Sequence, residues 1–233
     1  FEGSNTTSSM HSCELDIGRC ACIHGKFQAV DAIIQCILYQ RGVVPAPVGQ
    51  ILAFPETVHE KKFAESYNKM RGALREVFRS YNRTSLRQVL VLIGNSSLLP
   101  KELYRIELDL CGINGPDTCH PNCSELTDKE LRKVSSGLLF DMFNSSYEAL
   151  NFAKPQVYLF LRGSSSLRVP VDLVEEDDSF ELPSEKIMEH KKIKTYCFSL
   201  KHHCKSSDIQ NLNVPEEALV WFRLYSNFKM FAN

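Results

Sequence analysis

A change of hydrophobic period near residue 85 constrains the fold of this 233-residue chain more than any other feature. Before it, apolar residues recur at helical spacing on one stripe, which predicts a long amphipathic helix. After it, Gln88–Ile93 is a leucine- and valine-rich run typical of a buried strand, and Tyr104–Leu110 alternates apolar and polar residues. A helix followed by a hairpin therefore predicts a mixed fold. The stripe consists of Phe63, Tyr67, Met70, Leu74, Val77, Phe78 and Tyr81.

Apolar spacing predicts further elements on both sides of this junction. Lys26–Arg41 and the stretch from Leu126 to Met142 have the spacing of helices, and Val48–Phe54 is predicted as a short helical turn. Later strands are predicted at Val157–Leu161, Leu167–Val174, Ile193–Leu200 and Ala218–Leu224, followed by an apolar tail around Phe228, Met230 and Phe231 that docks as a strand.

This order of elements predicts an α+β fold in which three main helices pack on a mostly antiparallel sheet that a C-terminal strand segment closes. Residues 1–18 are mostly small and polar, which favours a flexible N-terminal lead-in. The lead-in is expected to extend over residues 1–25, and residues 26–233 are expected to form a single domain.

Composition and motifs give no sign of catalysis, of nucleic-acid binding or of membrane insertion. The formal net charge is -1, which gives no basic face for nucleic acid, and no apolar run approaches the roughly 20 residues of a membrane span. The chain lacks a glycine-rich phosphate loop, a His-Glu-x-x-His motif and a Gly-x-Ser-x-Gly elbow. We therefore expect no catalytic residues, cofactor, nucleic-acid partner or membrane partner.

The cysteines and the glycosylation motifs point in different directions. Nine cysteines cannot all pair within one chain, which favours thiols in a cytosolic or nuclear protein. Five Asn-x-Ser/Thr motifs, at Asn5, Asn82, Asn95, Asn122 and Asn144, leave open a secreted, glycosylated, disulfide-containing binding domain. Cys119–Cys123 and His202–Cys204 could together supply zinc ligands, but their spacing matches no standard finger, so no metal site is expected. A zinc-dependent or other enzyme is the third hypothesis, which metal analysis of the purified chain tests.

Several motifs occur in the order and approximate spacing of a known family. They are Ile37–Arg41, Pro45–Pro47 and Gln50–Phe54 near the first helix, Val89–Gly94 and Pro100–Tyr104 in the hairpin, and Trp221-Phe222 and Phe228–Phe231 at the C-terminus. From about residue 26 onward, the chain resembles the comet-type, HORMA-like adaptors that bind the spindle-checkpoint protein named mitotic arrest deficient two.

The resemblance implies a HORMA-like fold and a non-enzymatic adaptor role. Such an adaptor binds the closed form of its HORMA partner, presents it to a hexameric AAA+ remodelling ATPase and so silences the mitotic checkpoint. The resemblance also implies that the protein is located in the nucleus, in the cytoplasm and at the mitotic spindle.

The resemblance, together with small residues on the third helix, also indicates site residues. Gln40 matches the first-helix glutamine that contacts the partner. The family's third-helix aromatic has no counterpart in Leu131–Ser136, and Phe140 is nearest. The partner-binding candidates are Tyr39, Gln40, Arg132, Ser135, Ser136 and Leu139, and the candidates for contact with the ATPase are Phe180, Pro183 and Lys186.

Overall fold

The predicted change of period near residue 85 lies between the longest helix, which ends at Val77, and a buried strand that begins at Leu86. We describe the chain from a computed structural model, which places residues 10–108, 125–144, 156–201, 203 and 219–225. The helix begins with a capping box, in which the Thr57 hydroxyl accepts from the Glu60 N–H and the Glu60 carboxylate accepts from the Thr57 N–H. Its predicted apolar stripe is buried, except for Tyr81, which lies beyond the helix and is 52% exposed.

Five α-helices, one 3₁₀-helix (Ser80–Asn82) and seven strands are described. The helices are α1 (Ile23–Gln40), α2 (Val48–Ala53), α3 (Val58–Val77), α4 (Asp128–Asn144) and α5 (Glu185–His190). The strands are β1 (His11–Leu15), β2 (Leu86–Gly94), β3 (Glu102–Glu107), β4 (Gln156–Ser164), β5 (Val174–Glu176), β6 (Lys194–Leu200) and β7 (Leu219–Leu224).

The strands form one mixed sheet in the order β1-β6-β3-β2-β4-β7-β5. Strand β6 pairs in parallel with both β1 and β3, while the other four pairs are antiparallel. The prediction of an α+β fold with a mostly antiparallel sheet is therefore confirmed.

Both faces of the sheet are covered. On one face, Val89 and Val91 of β2 belong to the main core together with residues of α1, α3 and α4. On the other face, Leu90 and Leu92 form a second core that includes Phe180, from the connection between β5 and β6. A strand buried on both sides explains the nearly continuous apolar run of β2.

The flexible lead-in predicted for residues 1–25 is corrected over its described part, which begins at residue 10. Residues 11–15 form β1 at one edge of the sheet, and α1 already begins at Ile23. Leu15 and Ile17 are buried, so this segment contributes to the core. This strand is difficult to predict from the sequence, because a short edge strand with one solvent-facing side alternates polar and apolar residues, as many loops do.

Two other predicted strands have different outcomes. The strand predicted at Leu167–Val174 is wrong, because the Pro170 carbonyl accepts from the N–H groups of Leu173 and Val174 in a turn, and β5 starts only at Val174. The tail around Phe228 lies outside the described residues.

Candidate protein-binding surface

Helices α1 and α4 lie side by side and run in the same direction. Near their N-terminal ends, the Leu126 N–H donates to Gln28 Oε1 over 2.6 Å. Further along, the Ser135 hydroxyl contacts the thiol of Cys36. Burial raises the pKa of Cys36, and this hydrogen bond opposes part of the rise. The two contacts are eight residues apart on α1 (Gln28 to Cys36) and nine apart on the α4 side (Leu126 to Ser135), so the last turn of α1 lies level with the middle of α4.

The start of α4 is held by a second set of polar contacts. The Thr127 hydroxyl accepts from the Glu130 N–H, and the Glu130 carboxylate accepts from the Thr127 N–H, which makes a capping box. Arg19 Nε donates to Glu130 Oε1 over 2.6 Å and ties the helix to the loop after β1. Hydrogen bonding from Arg19 lowers the pKa of Glu130 to about 2.

The predicted partner-binding residues are not equally accessible. Tyr39 is 43% exposed and Gln40 is partly exposed, both in the last turn of α1. On α4, Ser136 and Arg132 are exposed, whereas Ser135 is partly buried against α1. The backbone of Leu139 lies in α4, but its side chain is outside the described part of the chain.

The small residues of α4 serve packing within the chain. A Cβ atom on Gly137 would lie 3.2 Å from Leu15 Cδ2, so a glycine here allows β1 to approach the helix. Ser135 faces Cys36 of α1 in the same way. Of these three residues, Ser136 has the exposed side chain, whereas Ser135 and Gly137 are partly buried, so the predicted partner contact of this stretch depends first on Ser136.

A buried ion pair fixes the end of α1. Arg41 caps the helix and lies beneath the sheet, with its Nε atom 2.8 Å from Glu102 Oε2 and its Nη2 group donating to the Tyr196 hydroxyl over 3.0 Å. The Tyr104 hydroxyl donates to the same carboxylate over 2.7 Å. Burial raises the pKa of Glu102, and the guanidinium opposes that rise. The contact fixes the backbone next to Gln40, and sequence reasoning did not find it.

The residues predicted to face the ATPase differ in their exposure to solvent. The Phe180 ring stacks on Phe160 with its centroid 3.8 Å away and is 4% exposed, and Pro183 is also buried. Lys186 lies in α5 with an exposed side chain. In this arrangement, Lys186 is the one member of the predicted set that can reach a partner.

The glycosylation and metal-binding motifs of the sequence can be compared with the structure in part. Asn82 is fully buried and donates to the carbonyls of Val77 and Arg168, so its amide nitrogen is not accessible to a glycan. Cys119, Cys123, His202 and Cys204 lie outside the described residues. Within the placed part of the chain, no three His, Cys, Asp or Glu side chains are grouped as metal ligands, and no helix has the length and apolarity to cross a membrane.

Comparisons with known proteins add no relative. No protein-family model matches the chain, and no curated protein matches it at a significant level.

Proposed function

We propose that this chain is a HORMA-like, non-enzymatic adaptor. It binds the closed form of the spindle-checkpoint protein mitotic arrest deficient two and presents it to a hexameric AAA+ ATPase, which silences the mitotic checkpoint. The proposed places of action are the nucleus, the cytoplasm and the mitotic spindle. The α+β sheet with its helical layer is compatible with the fold that this role requires.

The side-by-side packing of α1 and α4 carries the proposal. Two stretches that are distant in the sequence, around Gln40 and around Ser136, belong to helices in direct contact. Their accessible side chains offer a phenol, an amide, a guanidinium and a hydroxyl on neighbouring helices, which suits a polar helix-to-helix interface. The bound partner would cover Tyr39, which otherwise leaves much of an aromatic ring in water.

The alternative of a secreted, glycosylated, disulfide-containing domain is less well supported. Asn82 uses both amide hydrogens inside the folded chain, so one of the five motifs is unsuited to a glycan. Five of the nine cysteines, Cys13, Cys20, Cys22, Cys36 and Cys197, lie in the described part of the chain. Thiol titration of the denatured, unreduced protein distinguishes the two, since nine titratable thiols would exclude the secreted alternative.

The proposal is tested by measuring binding to the closed and the open forms of the checkpoint protein by surface plasmon resonance. We expect the chain to bind only the closed form. Ser136→Glu places a charge on the exposed side of α4 and should weaken binding at least tenfold, or about 1.4 kcal/mol. Gln40→Ala removes a donor and an acceptor from the interface and should weaken binding by a similar factor.

Asn68→Glu is the matched control, because it adds the same charge to an exposed position of α3. It should bind like the parent. Absence of binding to either form of the checkpoint protein would contradict the proposed function. Binding that is insensitive to both Ser136→Glu and Gln40→Ala would keep the function but remove this surface from it.

A further inference from the structure

The turn between β2 and β3 exposes two consecutive leucines. Leu98 is 59% exposed and Leu99 is 49% exposed. The turn is closely built, since the Lys101 N–H donates to the Ile93 carbonyl over 2.9 Å and a Cβ atom on Gly94 would lie 2.9 Å from the Lys101 nitrogen. The leucines are therefore held at the surface by a defined backbone.

The end of α5 is fixed beside this turn. The Lys191 N–H donates to the Ile187 carbonyl and ends the helix, and Ile193 then enters the second core. The Lys194 N–H donates to the Lys101 carbonyl over 3.0 Å, which joins the start of β6 to the turn. Lys191 therefore has a defined position next to the exposed leucines.

A cavity of about 350 Å³ lies between the turn and the end of α5. Its walls are mostly apolar, and its size is at the lower end of the range for ligand pockets, about 300–1,000 Å³. Ile187, which is 44% exposed, precedes Lys191 by one helical turn and extends the same side of α5. The lining residues are Asn95, Ser96, Leu99, Pro100, Lys101 and Lys191.

The charged residues that line this cavity are all positive. Lys101 and Lys191 are two of its six lining residues, and none of the six is acidic. The exposed acidic side chains of the connection between β5 and β6, Asp178, Glu181, Glu185 and Glu189, are not among the lining residues. An apolar hollow with a lysine rim is complementary to a large apolar side chain flanked by carboxylates.

We propose that this cavity, with Leu98 and Leu99 at its edge, is a docking site for an acidic peptide segment that inserts one large apolar side chain. The apolar residue enters between Leu99 and the aliphatic part of Lys191, and the neighbouring carboxylates face the ammonium groups. A concave site with a charged rim suits a protruding side chain better than it suits a flat bilayer. This inference does not depend on the surface of α1 and α4.

The test is a selection from a displayed library of random ten-residue peptides on the full chain. Enriched peptides are then synthesised with a fluorescent label, and their Kd values are measured by anisotropy. We expect enrichment of acidic residues around one leucine or phenylalanine. Lys191→Glu and Leu99→Ser should each weaken binding of the selected peptides at least tenfold, and added salt should weaken it further.

Two variants serve as matched controls. Lys62→Glu reverses an exposed charge on α3, and Val171→Ser removes an apolar side chain that is 83% exposed elsewhere. Both should bind the selected peptides like the parent. Circular dichroism and urea unfolding show whether each variant folds. If Leu99→Ser does not fold, the effect of Lys191→Glu on peptide binding decides the test alone.

Three results would overturn the inference. The first is the absence of enrichment above background, and the second is an enriched set that is not acidic or does not respond to Lys191→Glu. The third is sedimentation of the chain with phosphatidylserine vesicles that Leu99→Ser abolishes while peptide binding persists. That last result would assign the leucines to a membrane surface.

Discussion

The Nε atom of Arg41 lies 2.8 Å from Oε2 of Glu102, and neither side chain is more than 2% exposed. The two residues belong to the end of α1 and to β3, so the pair joins the helical layer to the sheet. It lies directly beside Tyr39 and Gln40, which end the helix at the surface. The position of the candidate surface therefore depends on a contact that is itself buried within the chain.

Glu102→Gln should strongly destabilise the chain. The substitution keeps the shape of the side chain but leaves the Arg41 charge buried without its counter-ion, which costs about 3–5 kcal/mol in comparable cases. Urea unfolding measures the loss. Glu76→Gln is the control, because Glu76 pairs with Arg79 at the surface and should leave the urea midpoint unchanged. Equal midpoints for Glu102→Gln and the parent would show that the pair contributes no net stability.

Leu74→Ala should lower the free energy of unfolding by about 2–5 kcal/mol, because Leu74 is 2% exposed in the main core and its truncation leaves a cavity. Chemical denaturation followed by tryptophan fluorescence and circular dichroism measures it. Lys69→Ala, on the exposed side of the same helix, should change stability little. A loss below about 0.5 kcal/mol for Leu74→Ala would contradict the burial of the α3 stripe.

Phe180→Ala should behave as a core substitution. Its ring is stacked on Phe160 and packs edge-on against Trp221 at 5.3 Å, so truncation should cost about 3–5 kcal/mol. Lys186→Ala should leave stability unchanged, since its side chain is exposed. A Phe180→Ala variant that unfolds like the parent but no longer engages the ATPase would instead place Phe180 in a partner interface.

Glu130 should make the free energy of unfolding of the chain depend on pH in the acid range. Its pKa is about 2 in the folded chain, below the ordinary value of about 4.3, so its ionised form favours folding. That stability is fully present well above pH 4.3 and is lost as the pH falls towards 2. The difference in unfolding free energy between the parent and Glu130→Gln should therefore be largest near pH 7 and shrink below about pH 4. If the difference in unfolding free energy between the parent and Glu130→Gln stays constant from pH 7 to pH 2, the ionised Arg19–Glu130 contact is not the origin of that difference.

Much of the fold could be predicted because periodicity records burial. The α3 stripe is buried where the sequence predicts it, and β2 reads as an apolar run because it is covered on both faces. Helix α4 begins after Thr127, whose hydroxyl accepts from the Glu130 N–H as an N-cap residue does. These elements carry their signal locally, in spacing and in capping residues.

The elements that were missed carry no such signal. Helix α5 has six residues and no buried member, so it shows no apolar face in the sequence. Strand β1 is short and lies at the edge of the sheet, where alternation is weak. The binding surface at Tyr39 and Gln40 remains a prediction. The buried role of Arg41 could not be predicted, because it depends on Tyr104 and Tyr196, which are 63 and 155 residues away.

The place of β6 in the sheet also sets an order for assembly. It lies between β1 and β3, both of which precede it in the chain, and it pairs in parallel with each. During synthesis, the hairpin of β2 and β3 can form early, whereas β1 has no neighbour in the sheet until Lys194–Leu200 has left the ribosome. Pairing across so long a separation is slow, so the first strand to be made is among the last to dock.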